Sequence, residues 1–187
     1  MTLTTIDPAP ALVVIDLQKG FLEGADPAIA AVVEPTTRLV TAFRRHGLPV
    51  ILVNVTGRAP GRTEGARTGA AVPSSPGWAD LIDELDVRPT DHLITKRRRS
   101  AFHDTGLDTL LRDLGVTQIV LTGISTSAGV ESTARSASDH GYHVVLATDA
   151  MADRVEGDHR HSVERVFPKL GETATTAEVV AMVEATR

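Results

Sequence analysis

Residues 117–130 constrain the fold more than any other stretch of the chain. They read TQIVLT and then GISTSAGV. The first six residues are apolar and β-branched, and a glycine follows them. This is the pattern of a short buried strand. Beyond Gly123 the spacing changes, and Val130, Ala134 and Ala137 fall on one helical face. A strand, a tight turn and a helix are therefore expected in that order. The first turn of such a helix has backbone N–H groups without intrahelical partners, which suits an anion. In an open α/β sheet, ligands gather at the carboxyl ends of the strands. The turn is the first candidate for the active site.

The remaining chain repeats this alternation. Residues 11–15 (ALVVI) form an apolar run ending at Asp16, as in a strand buried on both faces. Asp26 and Pro27 suit a helix entry. Ile29, Val32, Val33, Thr36, Val40 and Phe43 then recur at helical spacing until Gly47, with Pro35 delaying the regular part. Val50–Val55 is a second strand. Residues 57–77 are rich in Gly, Pro, Arg, Ser and Thr, long enough for a lid or binding loop. Residues 78–85 predict a short helix with Leu81, Ile82 and Leu85 inward. Residues 92–95 predict a strand ending at Lys96. Thr105 caps a helix whose stripe is Leu107, Leu110, Leu111 and Leu114, closed by Gly115. Residues 143–148 make a fifth strand ending at Asp149, and 158–167 a helix. Residues 172–175 make an edge strand, and Thr175 with Glu178 a capping box for the last helix. The expectation is one domain over 1–187, with a doubly wound, mostly parallel six-stranded α/β sheet flanked by helices.

Composition narrows the function. The chain has 187 residues, 42% hydrophobic and 23% charged, with 19 basic against 24 acidic side chains and a net charge of −5. That balance disfavours a nucleic-acid partner. No apolar run reaches membrane-spanning length, and MTLTTIDPAP lacks the features of a signal peptide, so a cytoplasmic location is expected. There is no cysteine, which removes disulfides, thiolate metal sites and a cysteine nucleophile.

Three polar features end three strands: Asp16, Lys96 and the turn from Gly123 to Gly129. In a parallel sheet they share one edge. A carboxyl proton carrier, a fixed cation and backbone donors suit a small anionic substrate. Each also has a plainer reading, since a strand-end Asp is often a turn cap and a strand-end Lys is often solvated.

The motifs VVIDLQKGF, TKRRRSAFHDTGLDTLL, VLTGISTSAGVESTARSA and LATDAMAD occur in this order across the chain. In them the chain resembles the isochorismatase-like hydrolases, with the Rossmann-like fold of that superfamily. The resemblance runs from about Ala11 to Glu184. It implies that Asp16 and Lys96 fall on the family's catalytic Asp and Lys, and that Gly129 stands where most members carry the nucleophilic Cys. It also implies a cis bond at Ile124–Ser125. Candidate substrate-binding residues are Phe21, Ser125, Phe102 and Arg99. No cofactor is implied, and a homo-oligomer, dimer or tetramer, is expected. Isochorismatases also lack the Cys. They cleave a vinyl ether by protonation at carbon, which needs no nucleophilic side chain, so the resemblance points to ether hydrolysis of a small carboxylated metabolite.

The chain departs from isochorismatases in several places. It has no Gln just after the second strand, where Asn54-Val55-Thr56-Gly57 stands. Arg99 replaces a Tyr before the SAF triplet. Ser125, Thr126 and Ser127 replace Tyr, Ala and His. Metal-binding relatives carry an Asp/His cluster after the second strand, which residues 56–76 lack. His159 and His161 are two apart, so on a helix they diverge, and no metal is expected. His103 follows Phe102 near the expected mouth. The run Arg97-Arg98-Arg99 is either solvated or a carboxylate site. Two other function classes stay open. One is a serine hydrolase using Ser125 in a GxSxG-like turn, with Asp149 and His159 following. The other is a small-molecule-binding pseudoenzyme.

Overall fold

The structure is a computed structural model describing residues 3–64 and 75–186. Its strands are β1 (Pro10–Ile15), β2 (Val50–Val55), β3 (His92–Lys96), β4 (Gln118–Ile124), β5 (His143–Ala152) and β6 (Glu172–Ala174). Its helices are α1 (Lys19–Leu22), α2 (Pro27–Ala30), α3 (Val33–Arg45), α4 (Leu107–Asp113), α5 (Glu131–Asp139), α6 (Glu156–His161) and α7 (Thr176–Ala185). The strands form one sheet in the order β3-β2-β1-β4-β5-β6, with every neighbouring pair parallel. The order reverses between β1 and β4, which opens a crevice at their carboxyl ends.

Alternation along the strands builds two cores. Leu12 and Val14 of β1 join Leu39, Val40 and Phe43 of α3 and Val179 and Val183 of α7 on one face. Ala11, Val13 and Ile15 join Leu107 and Leu111 of α4 and Ala134 and Ala137 of α5 on the other. Every residue of β1 is buried, which is why it reads as a continuous apolar run rather than an alternating one.

The helix ends follow local chemistry. Asp26 accepts from the Ala28 amide at 2.9 Å at the start of α2. Thr175 and Glu178 form the capping box of α7. Thr105 accepts from the Leu107 amide at 3.3 Å, although Gly106 is the residue at the cap position of α4. Of the leucine stripe, Leu107 and Leu111 are buried, whereas Leu114 is exposed beyond the last turn.

Four stretches differ from the sequence expectation. Residues 78–85 are not one helix. A turn covers 76–79, Leu81 bridges to Gln18, and only Asp83–Leu85 form a 3₁₀ turn. Backbone bonds to the segment after β1 compete with helix there: Lys19 donates to Asp80 O, Gly20 to Trp78 O and Ile82 to Leu17 O. β5 runs four residues past Thr148, because pairing with β4 resumes after an irregularity and matches Gly123 with Met151. The expected 158–167 helix is α6 followed by a π-helical turn (Ser162–Val166) and a 3₁₀ turn (Phe167–Lys169) forced by Pro168. Of the 57–77 loop, 65–74 lie outside the described residues.

Candidate active site

The chain leaves β1 at Asp16 in a left-handed conformation (φ 55°). The Asp16 amide still donates to Val53 O of β2 at 2.9 Å, and its carbonyl accepts from the Gln18 amide at 2.9 Å. Its carboxyl is thus fixed at the end of the central strand. Lys96 ends β3, and its Nζ donates to Asp16 Oδ2 at 2.7 Å and to Arg98 O at 3.3 Å. The two residues are only 5% and 2% exposed. Burial pushes the Asp16 carboxyl up from 3.8 to about 6, and the Lys96 ammonium opposes that rise without cancelling it. Asp16 Oδ1 is buried and has no hydrogen-bond partner among the described residues. An orphaned buried oxygen of this kind is rare in folded proteins.

The crossing from β4 to α5 lies beside this pair. Gly123 has φ 113°, and a Cβ there would lie 2.0 Å from Ile15 O, so β1 and β4 approach this closely only over a glycine. The Ile124–Ser125 bond is cis, as the family resemblance implies. Thr126–Val130 then form a π-helical turn, and α5 begins only at Glu131. The helix expected after this turn therefore starts in π-helical rather than α-helical form. Ala128 and Val130 donate to Ser125 O, and Ser127 donates to Asp153 Oδ2 at 2.8 Å. A Cβ on Gly129 would lie 2.9 Å from Ile15 Cγ2 and 3.1 Å from Asp16 Oδ2. The Asp16 carboxyl and an Ile15 methyl thus pack against this glycine.

Asp16, Lys96 and Gly129 border a cleft of about 480 Å³. Phe21 and Trp78 form one wall, their rings edge to face with centroids 5.0 Å apart. Trp78 lies so close over Gly20 that a Cβ there would meet the indole at 2.1 Å. Gln18 joins the floor to this wall. Its side chain accepts from Val55 N at 2.9 Å and donates to Val55 O at 3.3 Å and Trp78 O at 3.2 Å. Arg58, Arg98, Arg99 and Ser125 also border the cleft.

Of the expected substrate-binding residues, the cleft gathers Phe21, Ser125 and Arg99 but not Phe102. The 100–102 backbone is tied to α5 through Ala101 N to Thr133 Oγ1 (3.0 Å) and Ser100 Oγ to Ser136 Oγ (2.8 Å). Phe102 therefore stacks on His140, 5.0 Å between ring centres, and packs into the core. His103 pairs with Asp104 at 3.2 Å instead of bordering the cleft. Trp78, Arg58 and Gln18 were not singled out by the sequence. The available signals were the lone tryptophan of the chain and the Gln inside VVIDLQKGF.

The groups that would serve Ser125 are engaged elsewhere. His159 Nδ1 lies 2.9 Å from Thr126 Oγ1, and Asp149 accepts from the amide and hydroxyl of Thr176 at 2.7 and 3.0 Å. Among the described residues no group of three or more His, Asp or Glu could hold a metal ion, and no helix is long and apolar enough to cross a membrane.

A six-stranded parallel sheet that brings an Asp–Lys pair to the crevice at its switch point places the chain in the doubly wound α/β class. The isochorismatase domain model matches residues 10–178, so the chain belongs to the isochorismatase family of hydrolases. It is 38% identical over 181 residues to the isochorismatase family protein YwoC of Bacillus subtilis, covering 93% of this chain and 94% of that one. It is 27% identical over 184 residues to maleamate amidohydrolase of Pseudomonas putida, covering 91% and 85%. The solved structure of an isochorismatase family protein from Burkholderia thailandensis superposes with a TM-score of 0.87 at 38% identity, covering 96% and 98%.

Proposed function

We propose that the protein hydrolyses a small carboxylated metabolite, and that the bond cleaved is a vinyl ether of the isochorismate type, with release of pyruvate. One observation carries this reading. The position of the family nucleophile is a glycine packed against a buried carboxyl whose pKa lies near 6. A site with an acid and no thiol suits a reaction begun by proton transfer rather than by covalent attack.

Asp16 in its protonated form gives its proton to the terminal CH₂ carbon of the enol ether. Electrons from that double bond form the new C–H bond, and the ether oxygen shares the positive charge of the resulting oxocarbenium ion. Water adds to the cationic carbon and returns a proton to Asp16. The hemiketal collapses to an alcohol and pyruvate, so one water is consumed. Asp16 Oδ2 is held by Lys96, which leaves Oδ1, the oxygen without a partner, to carry the proton. Arg58, Arg98 and Arg99 offer guanidinium donors to substrate carboxylate.

Amide hydrolysis is the competing reading, favoured by the maleamate amidohydrolase relative. In this chain it would use Ser125, which borders the cleft. Incubation with isochorismate separates the two. Ether hydrolysis predicts stoichiometric pyruvate, unaffected by iodoacetamide and by phosphonofluoridates. Ammonia from maleamate without pyruvate from isochorismate, together with phosphonofluoridate labelling of Ser125, would favour the amidase. Ligand-induced stabilisation without turnover of either would leave a binding protein.

A further inference from the structure

We propose that Thr133 is a positioning residue of the active site, whose buried hydroxyl holds the Gly129 turn and the loop after β3 at the separation that keeps Lys96 paired with Asp16. The proposal rests on the functional reading only in taking Asp16 and Lys96 as the reacting pair. Thr133 does not border the cleft, so it acts through other residues.

Thr133 lies in the first turn of α5 and is fully buried. Its Oγ1 donates to Gly129 O at 2.7 Å, one helical turn back, and accepts from the Ala101 amide at 3.0 Å. Gly129 and Ala101 are buried as well, so neither main-chain group can turn to water if the hydroxyl is lost. Each end of this bridge leads to the Asp16–Lys96 contact. Gly129 is packed against Asp16 Oδ2, which lies 3.1 Å from where a Cβ would stand. Ala101 closes the short stretch that starts at Lys96. The Lys96 Nζ is held there by Arg98 O at 3.3 Å, as well as by Asp16 Oδ2 at 2.7 Å. The ion pair therefore spans the two segments that one hydroxyl joins.

A second tie, from Ser100 Oγ to Ser136 Oγ at 2.8 Å, fastens the loop to the next turn of α5 but does not reach the Gly129 turn. Thr133 alone among these contacts bonds to both segments. Electrostatics gives the direction of its effect. Burial raises the Asp16 carboxyl, and Lys96 opposes the rise. Parting Lys96 from Asp16 removes some of that opposition, so the carboxyl should titrate higher. The other charged side chains bordering the cleft, Arg58, Arg98 and Arg99, are cations, and one drawn closer would lower the titration instead. A hydroxyl of structural worth only would change stability and leave Asp16 where it is.

The Asp16 carboxyl carbon, identified by its absence from Asp16→Asn, can be titrated by carbon-13 NMR with no substrate present. Thr133→Val keeps the shape of the side chain and removes the hydroxyl. It should raise the Asp16 midpoint by about 0.5–1 pH unit, a part of the roughly 1–3 that a neighbouring opposite charge supplies. Thr133→Ser keeps the hydroxyl and should return the midpoint to that of the wild type. Thr36→Val removes another fully buried threonine hydroxyl, bonded to Thr122 at 2.9 Å and outside the cleft. It should cost stability and leave the midpoint unchanged. With isochorismate, Thr133→Val should lower kcat for pyruvate release about 10–100-fold with KM nearly unchanged, as a displaced acid would. If Thr133→Val does not fold, Thr133→Ala carries the same test without a β-branched side chain. An unmoved Asp16 midpoint in a folded variant lacking the Thr133 hydroxyl would overturn the proposal. So would an equal shift in Thr36→Val, or a rise in KM with kcat unchanged. Failure of the wild type to release pyruvate would count against the proposed reaction and would leave the midpoint test standing.

Discussion

The floor and the rim of the cleft are built by different means. The floor is made of strand ends. Asp16 follows β1, Lys96 closes β3 and Gly129 follows β4, and the parallel sheet sets their separations. Its side chains are buried, and its closest approaches are backbone against glycine. The rim is made of loops that bring Arg58, Thr63, Trp78, Arg98 and Arg99 to the cleft; its Trp78 segment is joined to the floor by hydrogen bonds from the Gln18 side chain and the Lys19 and Gly20 amides and by the Phe21–Trp78 contact. The difference suggests a division of labour. In the proposed reaction the floor sets the chemistry, since misplacing Asp16 would disable proton transfer. The rim is free to vary with the substrate.

Substitutions at the two levels should therefore fail differently. The largest effect is expected at Gly123→Ala. Its Cβ would collide with Ile15 O at 2.0 Å in a backbone conformation reserved for glycine. A loss of about 3 kcal/mol or more is expected, from overpacking added to a disfavoured φ. A lowered midpoint of chemical denaturation checks it, and an unchanged midpoint would mean that β1 and β4 tolerate separation.

Gly129→Cys comes next. The new Cβ must displace an Ile15 methyl and approaches the Asp16 carboxyl, so about 1–3 kcal/mol of stability should be lost. Pyruvate release should fall as well, because the acid is pushed aside. Weak amide hydrolysis sensitive to iodoacetamide would indicate that the turn still accepts the family's thiol chemistry. Full ether activity in this variant would break the claim that the floor has no slack.

Gln18→Leu is expected to have the smallest effect on the reaction itself; its cost in folding, about 1–3 kcal/mol, is like that of Gly129→Cys and comes from the buried groups of Val55 and Trp78 left without partners. Its signature should lie in KM more than in kcal/mol. The rim wall loosens while Asp16 and Lys96 stay in place. A fall in kcat with KM unchanged would instead mean that Gln18 supports the floor.

Legibility in the sequence follows the same boundary. β1, β2 and β3 were readable to within a residue: β1 and β2 are parallel strands buried on both faces and leave apolar runs, whereas β3 is a half-exposed edge strand legible from its short Leu-Ile-Thr run closing at Lys96. Asp16 and Lys96 were legible as those endings. Phe102 was misplaced because nothing local tells which side of the 100–102 turn faces the cleft; bonds to Thr133 and Ser136, more than thirty residues away, decide it. Trp78 was read as part of a helix because the apolar spacing of 78–85 fits one. The antiparallel contacts of that segment with residues 17–20 override the local pattern. The π-helical turn at 126–130 was read as an ordinary helix start, since its small residues suit both.

Asp16 also links the site to pH. Its folded pKa, about 6, lies above the ordinary value of 3.8. The stability it contributes is therefore fully present below about pH 3.8 and is lost as pH rises through 6. In the proposed reaction the same titration removes the proton that Asp16 transfers. The most direct test of the account is the pH dependence of pyruvate release from isochorismate, measured for the wild type and for Asp16→Asn. The account predicts a wild-type rate constant that falls about tenfold per pH unit once the acid has ionised above pH 6. It also predicts an Asp16→Asn rate lower by about 10²–10⁴ at the wild-type optimum, with no such limb. A variant that keeps most of the wild-type rate, or a wild-type rate that rises through pH 6 and stays high, would contradict Asp16 as the acid.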